Sequence, residues 1–159
     1  MVSSSSAETR AGAARVARRI TAPSEAEKVV TEVLVRHRLE LPPGVLTVDL
    51  DVLAARVGDL TVGRLAYGRP VTARVDDVPD VLIGFNLRGR AAMSSGESPL
   101  RPVDVGSGVI FPTGSPAHVE LSADCAVLAI RVSQTALEDE LEHLLGRSLP
   151  GPLELDFEL

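Results

Sequence analysis

Residues 105–132 read VGSGVIFPTGSPAHVELSADCAVLAIRV, and the way short apolar runs alternate with turn chemistry in this stretch decides the fold class. Val109-Ile110-Phe111, residues 119–121 and residues 125–132 are short, mainly apolar runs. Pro112-Thr113-Gly114 and Ala123-Asp124 separate them with residues that suit chain reversal. Upstream the same punctuation recurs about every ten residues. Residues 45–53 place Leu46, Val48, Leu50 and Val52 on one side. Runs at 60–67, 71–75, 81–87 and 90–94 follow, each bounded by Gly, Pro or Asp. Eight or nine short strands at this spacing predict a mainly β sandwich or barrel.

Two helices flank the strands. Pro23-Ser24-Glu25-Ala26-Glu27 opens the first, with Ser24 as N-cap and Glu27 as its capping-box partner. Ala26, Val29, Val30, Val33 and Leu34 share a face, giving a helix near 25–36. The second runs near 135–146, with Thr135 as cap, Glu138 as partner, and Leu137, Leu141, Leu144 and Leu145 as a buried stripe. Gly146 and Pro150 end it. The final LELDFEL alternates apolar and acidic residues, which requires either addition to a sheet edge or continuation into a longer protein; the second is the expectation.

At 159 residues the chain makes one domain, 45% apolar but only 3% aromatic, so the core is built from Val, Leu, Ile and Ala. Of 16 Lys and Arg only Lys28 is lysine, a bias that GC-rich coding explains. The net charge of −6 argues against nucleic-acid binding by this chain. The basic cluster RAGAARVARR at residues 10–19 is either an amphipathic arm or part of a disordered leader over 1–22; the leader is the expectation, with one domain over 23–159. No apolar run reaches membrane-span length, no secretion signal is present, and Cys125 has no partner for a disulfide. The chain is expected to be cytoplasmic and not membrane-bound.

The turn Pro112-Thr113-Gly114 with His118 soon after resembles the second motif of the cupin barrels, which hold a metal or enclose a small ligand. Metal cupins use an H-x-H pair, a Glu and a further His. Here His37 precedes a Leu-Pro-Pro-Gly break, His143 falls in the second helix, and residues 81–93 contain no His, Asp, Glu or Cys. A mononuclear metal site, or any other cofactor, is not expected.

In order and spacing the segments resemble the N-terminal ligand-binding region of AraC-type transcription regulators, in the variety common in actinobacteria. The segments are His37-Arg38-Leu39, residues 54–68 (AARVGDLTVGRLAYG), Pro79-Asp80 with the strand up to Gly89, residues 109–114, residues 122–125, Ala136-Leu137-Glu138 and residues 144–147. The resemblance covers about 24–155. It implies a cupin-like double-stranded β-helix barrel that binds a small-molecule effector, helps to form a homodimer, and reaches DNA through helix-turn-helix units. After Pro150 there is neither length nor basic charge for a recognition helix, so DNA binding is expected of a parent protein and not of this chain.

An effector pocket in such a barrel is apolar with a few orienting polar groups. Val81, Ile83, Phe85 and Leu87 share one strand face, which directs Ile83 and Phe85 inward, opposite in phase to Asn86. Phe85 and Phe111 either touch ligand or fill core. Tyr67 offers a phenol to a ligand or to water, and His118 sits where the cupin-like motif places a lumen residue. The candidate ligand-binding set is therefore Tyr67, Ile83, Phe85, Phe111 and His118. Arg64 and Arg131 are either anion ligands or outward, solvated groups, the second being expected. No catalytic residue is assigned: there is no G-x-S-x-G elbow, and Gly106-Ser107-Gly108 does not open a helix as a phosphate loop does. The alternative is a metal-independent cupin-type enzyme, an isomerase or lyase.

Overall fold

The protein is described by a computed structural model over residues 14–157. Along the chain come β1 (Ala14–Ile20), α1 (Pro23–Val33), β2 (Arg38–Glu40), β3 (Leu50–Val57), β4 (Leu60–Ala66), β5 (Val71–Val75), β6 (Val81–Arg88), β7 (Ala91–Ser95), β8 (Arg101–Val103), β9 (Gly108–Phe111), β10 (Ala117–Leu121), β11 (Ala126–Val132) and α2 (Gln134–Leu145). They form a six-stranded sheet in the order β1-β3-β4-β11-β6-β9 and a five-stranded sheet in the order β2-β5-β10-β7-β8. Every pairing is antiparallel. The chain crosses between the sheets repeatedly, so two faces with alternating inward residues enclose one core, the arrangement of a double-stranded β-helix.

Inward phases follow the strand period of two. Leu50, Val52 and Ala54 of β3 are buried while Asp51 and Leu53 are exposed. Val71 and Val75 of β5, and Ala117 and Leu121 of β10, supply the opposite wall. α1 lays Ala26, Val29 and Val30 against this core, as its apolar face requires. It begins two residues earlier than the capping-box reading: Pro23 occupies the first turn, Ala22 is the N-cap, and no side chain caps it. Glu27 instead accepts the backbone N–H of Leu39 at 3.0 Å, tying the helix to β2. The C-terminal end of α1 is held by Arg131, whose guanidinium donates to the Leu34 carbonyl at 2.8 Å and to Asp80 at 2.6 Å. Arg131 is thus a partly buried clasp and not a solvated group.

Three further expectations are corrected. The leader expected over 1–22 divides: residues 1–13 lie outside the described residues, and Ala14–Ile20 is a strand paired along its whole length with β3. Arg19 forks onto Asp49 at 2.8 and 2.9 Å, and Arg18 pairs with Glu25, so two arginines of the basic cluster brace an edge strand. α2 is capped by Ser133, which accepts from the Ala136 N–H at 3.0 Å, and not by Thr135. Its leucine stripe is not buried: Leu137 and Leu141 are half-buried, while Leu144 is 73% and Leu145 49% exposed. Glu138 accepts from Gln134 and from the Leu153 N–H at 2.7 Å, drawing the last segment back onto the barrel. There the Ile110 N–H donates to the Phe157 carbonyl at 2.8 Å, so the tail meets the free edge of β9.

Candidate functional site

Between the two sheets and under α1 lies a cavity of about 80 Å³. β4, β6, β9 and β11 wall it with Leu65, Leu82, Phe111 and Ala129, and β5, β7 and β10 with Val75, Met93 and Val119. Val30 and Leu34 roof it from α1 and the residue that follows. Gly84 is part of this wall, and a methyl there would make ordinary contact at 3.6 Å with both the Met93 sulfur and the Phe111 ring. The Phe111 ring is in turn met edge-on by Phe157, with centroids 5.6 Å apart.

Only two lining side chains carry a polar atom, Tyr67 and His37. Burial, with a smaller effect from the Glu27 carboxylate, pushes the Tyr67 hydroxyl well above its ordinary value, so it stays a neutral phenol. His37 is 5% exposed, and burial pushes its pKa below 6.5 against the opposing pull of its bond to Val35. Its Nδ1 lies 3.0 Å from the Val35 carbonyl. A carbonyl only accepts, so Nδ1 carries the proton and Nε2 is left as a bare acceptor. That Nε2 is buried with no hydrogen-bond partner among the described residues.

Of the five residues expected to bind ligand, Tyr67 and Phe111 line the cavity, and the other three do not. Ile83 and Phe85 stand on the outer face of the six-stranded sheet, because Leu82, Gly84 and Asn86 take the inward phase of β6. Ile83 joins an apolar row, Ala55–Val62–Ile130–Ile83–Ile110, that crosses five strands. Phe85 pairs with Gly108 and lies over it: a methyl on Gly108 would come 2.6 Å from the ring. His118 lies outward on β10, where Ala117, Val119 and Leu121 face the lumen. It stands in a row Arg38–Arg74–His118–Ser94 across four strands, with Nε2 3.2 Å from Glu120. Arg38 and Arg74 are neutralised there by Asp76 and Glu40, and Arg64 by Asp51.

His37 was passed over in the sequence because it precedes the Leu-Pro-Pro-Gly break. The signal was present as a period of two: Val35, His37 and Leu39 alternate with Arg36 and Arg38, and the first set faces the core. A larger depression of about 680 Å³ lies on the outside of the five-stranded sheet, among Glu40, Thr72, Ala92 and Glu120. It is open to solvent, and its lining holds no buried polar atom without a partner. The apolar lumen, with the unpartnered His37 Nε2 in its lining, is the better site. Among the described residues no group of three His, Cys, Asp or Glu is placed to hold a metal, and no helix is long and apolar enough to cross a membrane. Cys125 is buried, with its thiol pushed up to about 11 by burial and by Asp124, so it is a protonated core group.

Two antiparallel sheets around an apolar lumen, with flanking helices, define a cupin-like barrel. The chain belongs to the family of AraC-binding-like domains, whose model matches residues 26–159. Among solved structures it is similar to the AraC-like transcriptional activator CuxR, with 15% identity and a TM-score of 0.59 over 84% of this chain and 52% of that one. The chain thus spans about half the length of that activator. Weaker likeness extends to the cupin domain of Cnp3 from Schizosaccharomyces pombe (9% identity, TM-score 0.48, 57% of this chain and 66% of that one). A cupin superfamily protein from Desulfitobacterium hafniense matches at 11% identity and a TM-score of 0.44, over 52% of this chain and 77% of that one. No curated protein matches the chain in sequence.

Proposed function

We propose that this chain is the effector-binding part of an AraC-type transcription regulator, in which a small molecule held in the lumen biases transcription. The observation that carries the reading is an apolar lumen between the sheets with two neutral polar groups, in a chain of the AraC-binding-like family. The site is a binding site and not a catalytic one: its lining holds no carboxylate, serine or cysteine to act beside His37. In the whole regulator, DNA is gripped by a helix-turn-helix region, in the cytoplasm. A net charge of −6 fits a part that leaves DNA contact to another region.

Self-association belongs to the same reading. The exposed Leu144 and Leu145 on α2 form an apolar patch that a second copy would cover about a two-fold axis. Two measurements test the proposal. A small apolar ligand should raise thermal stability by mass action, about 2.7 kcal/mol at a hundred times its dissociation constant. The regulator containing this domain should then shift DNA upstream of its own gene in a ligand-dependent way, while the 159-residue chain does not. Tight, sequence-specific DNA binding by the chain alone refutes the reading, as does turnover of a lumen ligand.

A further inference from the structure

We infer that the lumen selects a small, uncharged molecule bearing a hydroxyl or N–H donor on an apolar body, with His37 Nε2 as the acceptor that selects it. The inference rests on the reading of the lumen as a binding site and adds the chemistry of what it takes.

Three observations carry it. First, the Nε2 lone pair is buried without a hydrogen-bond partner among the described residues, in a wall whose one other polar side chain is Tyr67. A buried acceptor left unpaired is costly, so an occupant that donates to it is favoured over one that cannot. The tautomer is set from behind by the Val35 carbonyl, so the acceptor is fixed before any ligand arrives. Second, no charged side chain lines the cavity. A carboxylate, phosphate or ammonium would enter without a counter-charge, which burial forbids. Third, the volume is about 80 Å³. An engineered cavity of about 150 Å³ admits the six heavy atoms of benzene, so at the same ratio this one holds about three before any side chain moves. Met93, an unbranched side chain at the wall, can swing to admit a longer body.

Propan-2-ol and propanone share one carbon skeleton, at four heavy atoms need only a small movement of the wall, and differ in whether the oxygen can donate. Titration of each into the full chain, followed by amide NMR shifts of lumen residues, measures the two affinities. The alcohol should bind at least about fivefold more tightly. On saturation the ¹⁵N resonance of His37 Nε2 should move upfield, as it does when an unprotonated ring nitrogen accepts a hydrogen bond. In His37→Phe the two affinities should become equal. In Gly84→Ala, whose added methyl makes only ordinary contacts, both should weaken together.

Equal binding of alcohol and ketone by the unmodified protein, with an unmoved Nε2 resonance, overturns the role of His37 and leaves the lumen a binding site. Failure of both to perturb any lumen residue overturns the lumen reading itself. A water molecule that stays on Nε2 at saturating alcohol also overturns the selection proposed here. The alcohol-to-ketone ratio and the nitrogen shift are read on the unmodified chain, so they decide the matter even if His37→Phe does not fold.

Discussion

Asn86 offers the sharpest test of how the barrel is held. It is 1% exposed, and its side-chain amide donates to two main-chain carbonyls, Gly89 at 3.0 Å and Val103 at 2.8 Å. Its backbone N–H donates to the Ser107 carbonyl, and its own carbonyl accepts from Gly106. One residue therefore joins the end of β6, the turn into β7, the end of β8 and the loop into β9. Removing the amide leaves two carbonyls without donors, at about 1–3 kcal/mol for each fully buried group. The Gly89 bond is only part-buried, so Asn86→Ala should cost about 2–4 kcal/mol. With a urea slope of about 2 kcal/mol/M, the midpoint falls by about 1–2 M. Asn86→Leu, which restores most of the volume, should recover little of this, because the loss is polar. Asn86→Asp separates the cause further. Its carboxyl can donate only when protonated, so burial raises its folded-state pKa and its deficit against the native protein should shrink as pH falls. A loss below about 0.5 kcal/mol in both the Ala and Leu variants would refute the assignment of Asn86 as the tie.

Phe111→Ala should cost about 3–5 kcal/mol in denaturant unfolding, since the ring is buried and also meets Phe157; a cost under 1 kcal/mol would mean that the barrel end collapses onto the gap. Arg131→Met keeps the stem but frees the Leu34 carbonyl and Asp80, so a loss of about 1–2 kcal/mol and faster amide exchange at the end of α1 are expected. Burial lowers the folded-state pKa of His37, so it binds its proton more readily in the unfolded chain; the stability this gives is complete above 6.5 and drains away as pH falls below it. His37→Phe should flatten that part of the stability profile, and an unchanged profile would show that the ring is solvated. Gly89→Ala should fail to reach native stability at any pH, because its backbone angle φ of +74° suits glycine and an added methyl would lie 2.6 Å from the Cys125 Cα.

Most interior strands were legible because turn residues bracket them: the runs at 60–67, 71–75 and 81–87 match β4, β5 and β6 within a residue, whereas the run expected over 45–53 is displaced to β3 at Leu50–Val57, with Leu46 exposed. β1, β2 and β8 were not, and each has a physical reason. All three are edge strands of their sheets. An edge is paired on one side only and carries charge without penalty, so β1 reads ARVARRI and β2 reads RLE, with too few apolar residues to stand out. In α1 the capping signal was outcompeted by Pro23, whose fixed φ starts the helix one residue before Ser24. In α2 the apolar stripe was legible, but its burial was not, because periodicity reports which residues share a face and not what lies opposite it.

That same limit explains the candidate site. Alternation in β6 separates Ile83, Phe85 and Leu87 from Leu82, Gly84 and Asn86 without saying which set turns inward. Hydropathy favours the first set, and the structure turns the second one in. The inward set mixes Leu82 with a glycine and an asparagine whose surroundings only the fold supplies. Gly84 lies against the Met93 sulfur and the Phe111 ring, and Asn86 spends its amide on two backbone carbonyls. The outward set is apolar because it continues the row through Val62, Ile130 and Ile110 on the outside of the six-stranded sheet. A sheet with apolar residues on both faces offers no phase signal to a single strand. β10 is the opposite case: its alternation does carry a phase, with His118 and Glu120 facing out and Ala117, Val119 and Leu121 facing the lumen, against the inward place that the cupin-like motif gives His118. The polar groups that do reach the lumen come instead from positions flanking strands, Tyr67 just after β4 and His37 just before β2. There the backbone leaves the ladder, and a buried side chain can present a lone pair to the cavity without displacing a packed residue from the wall.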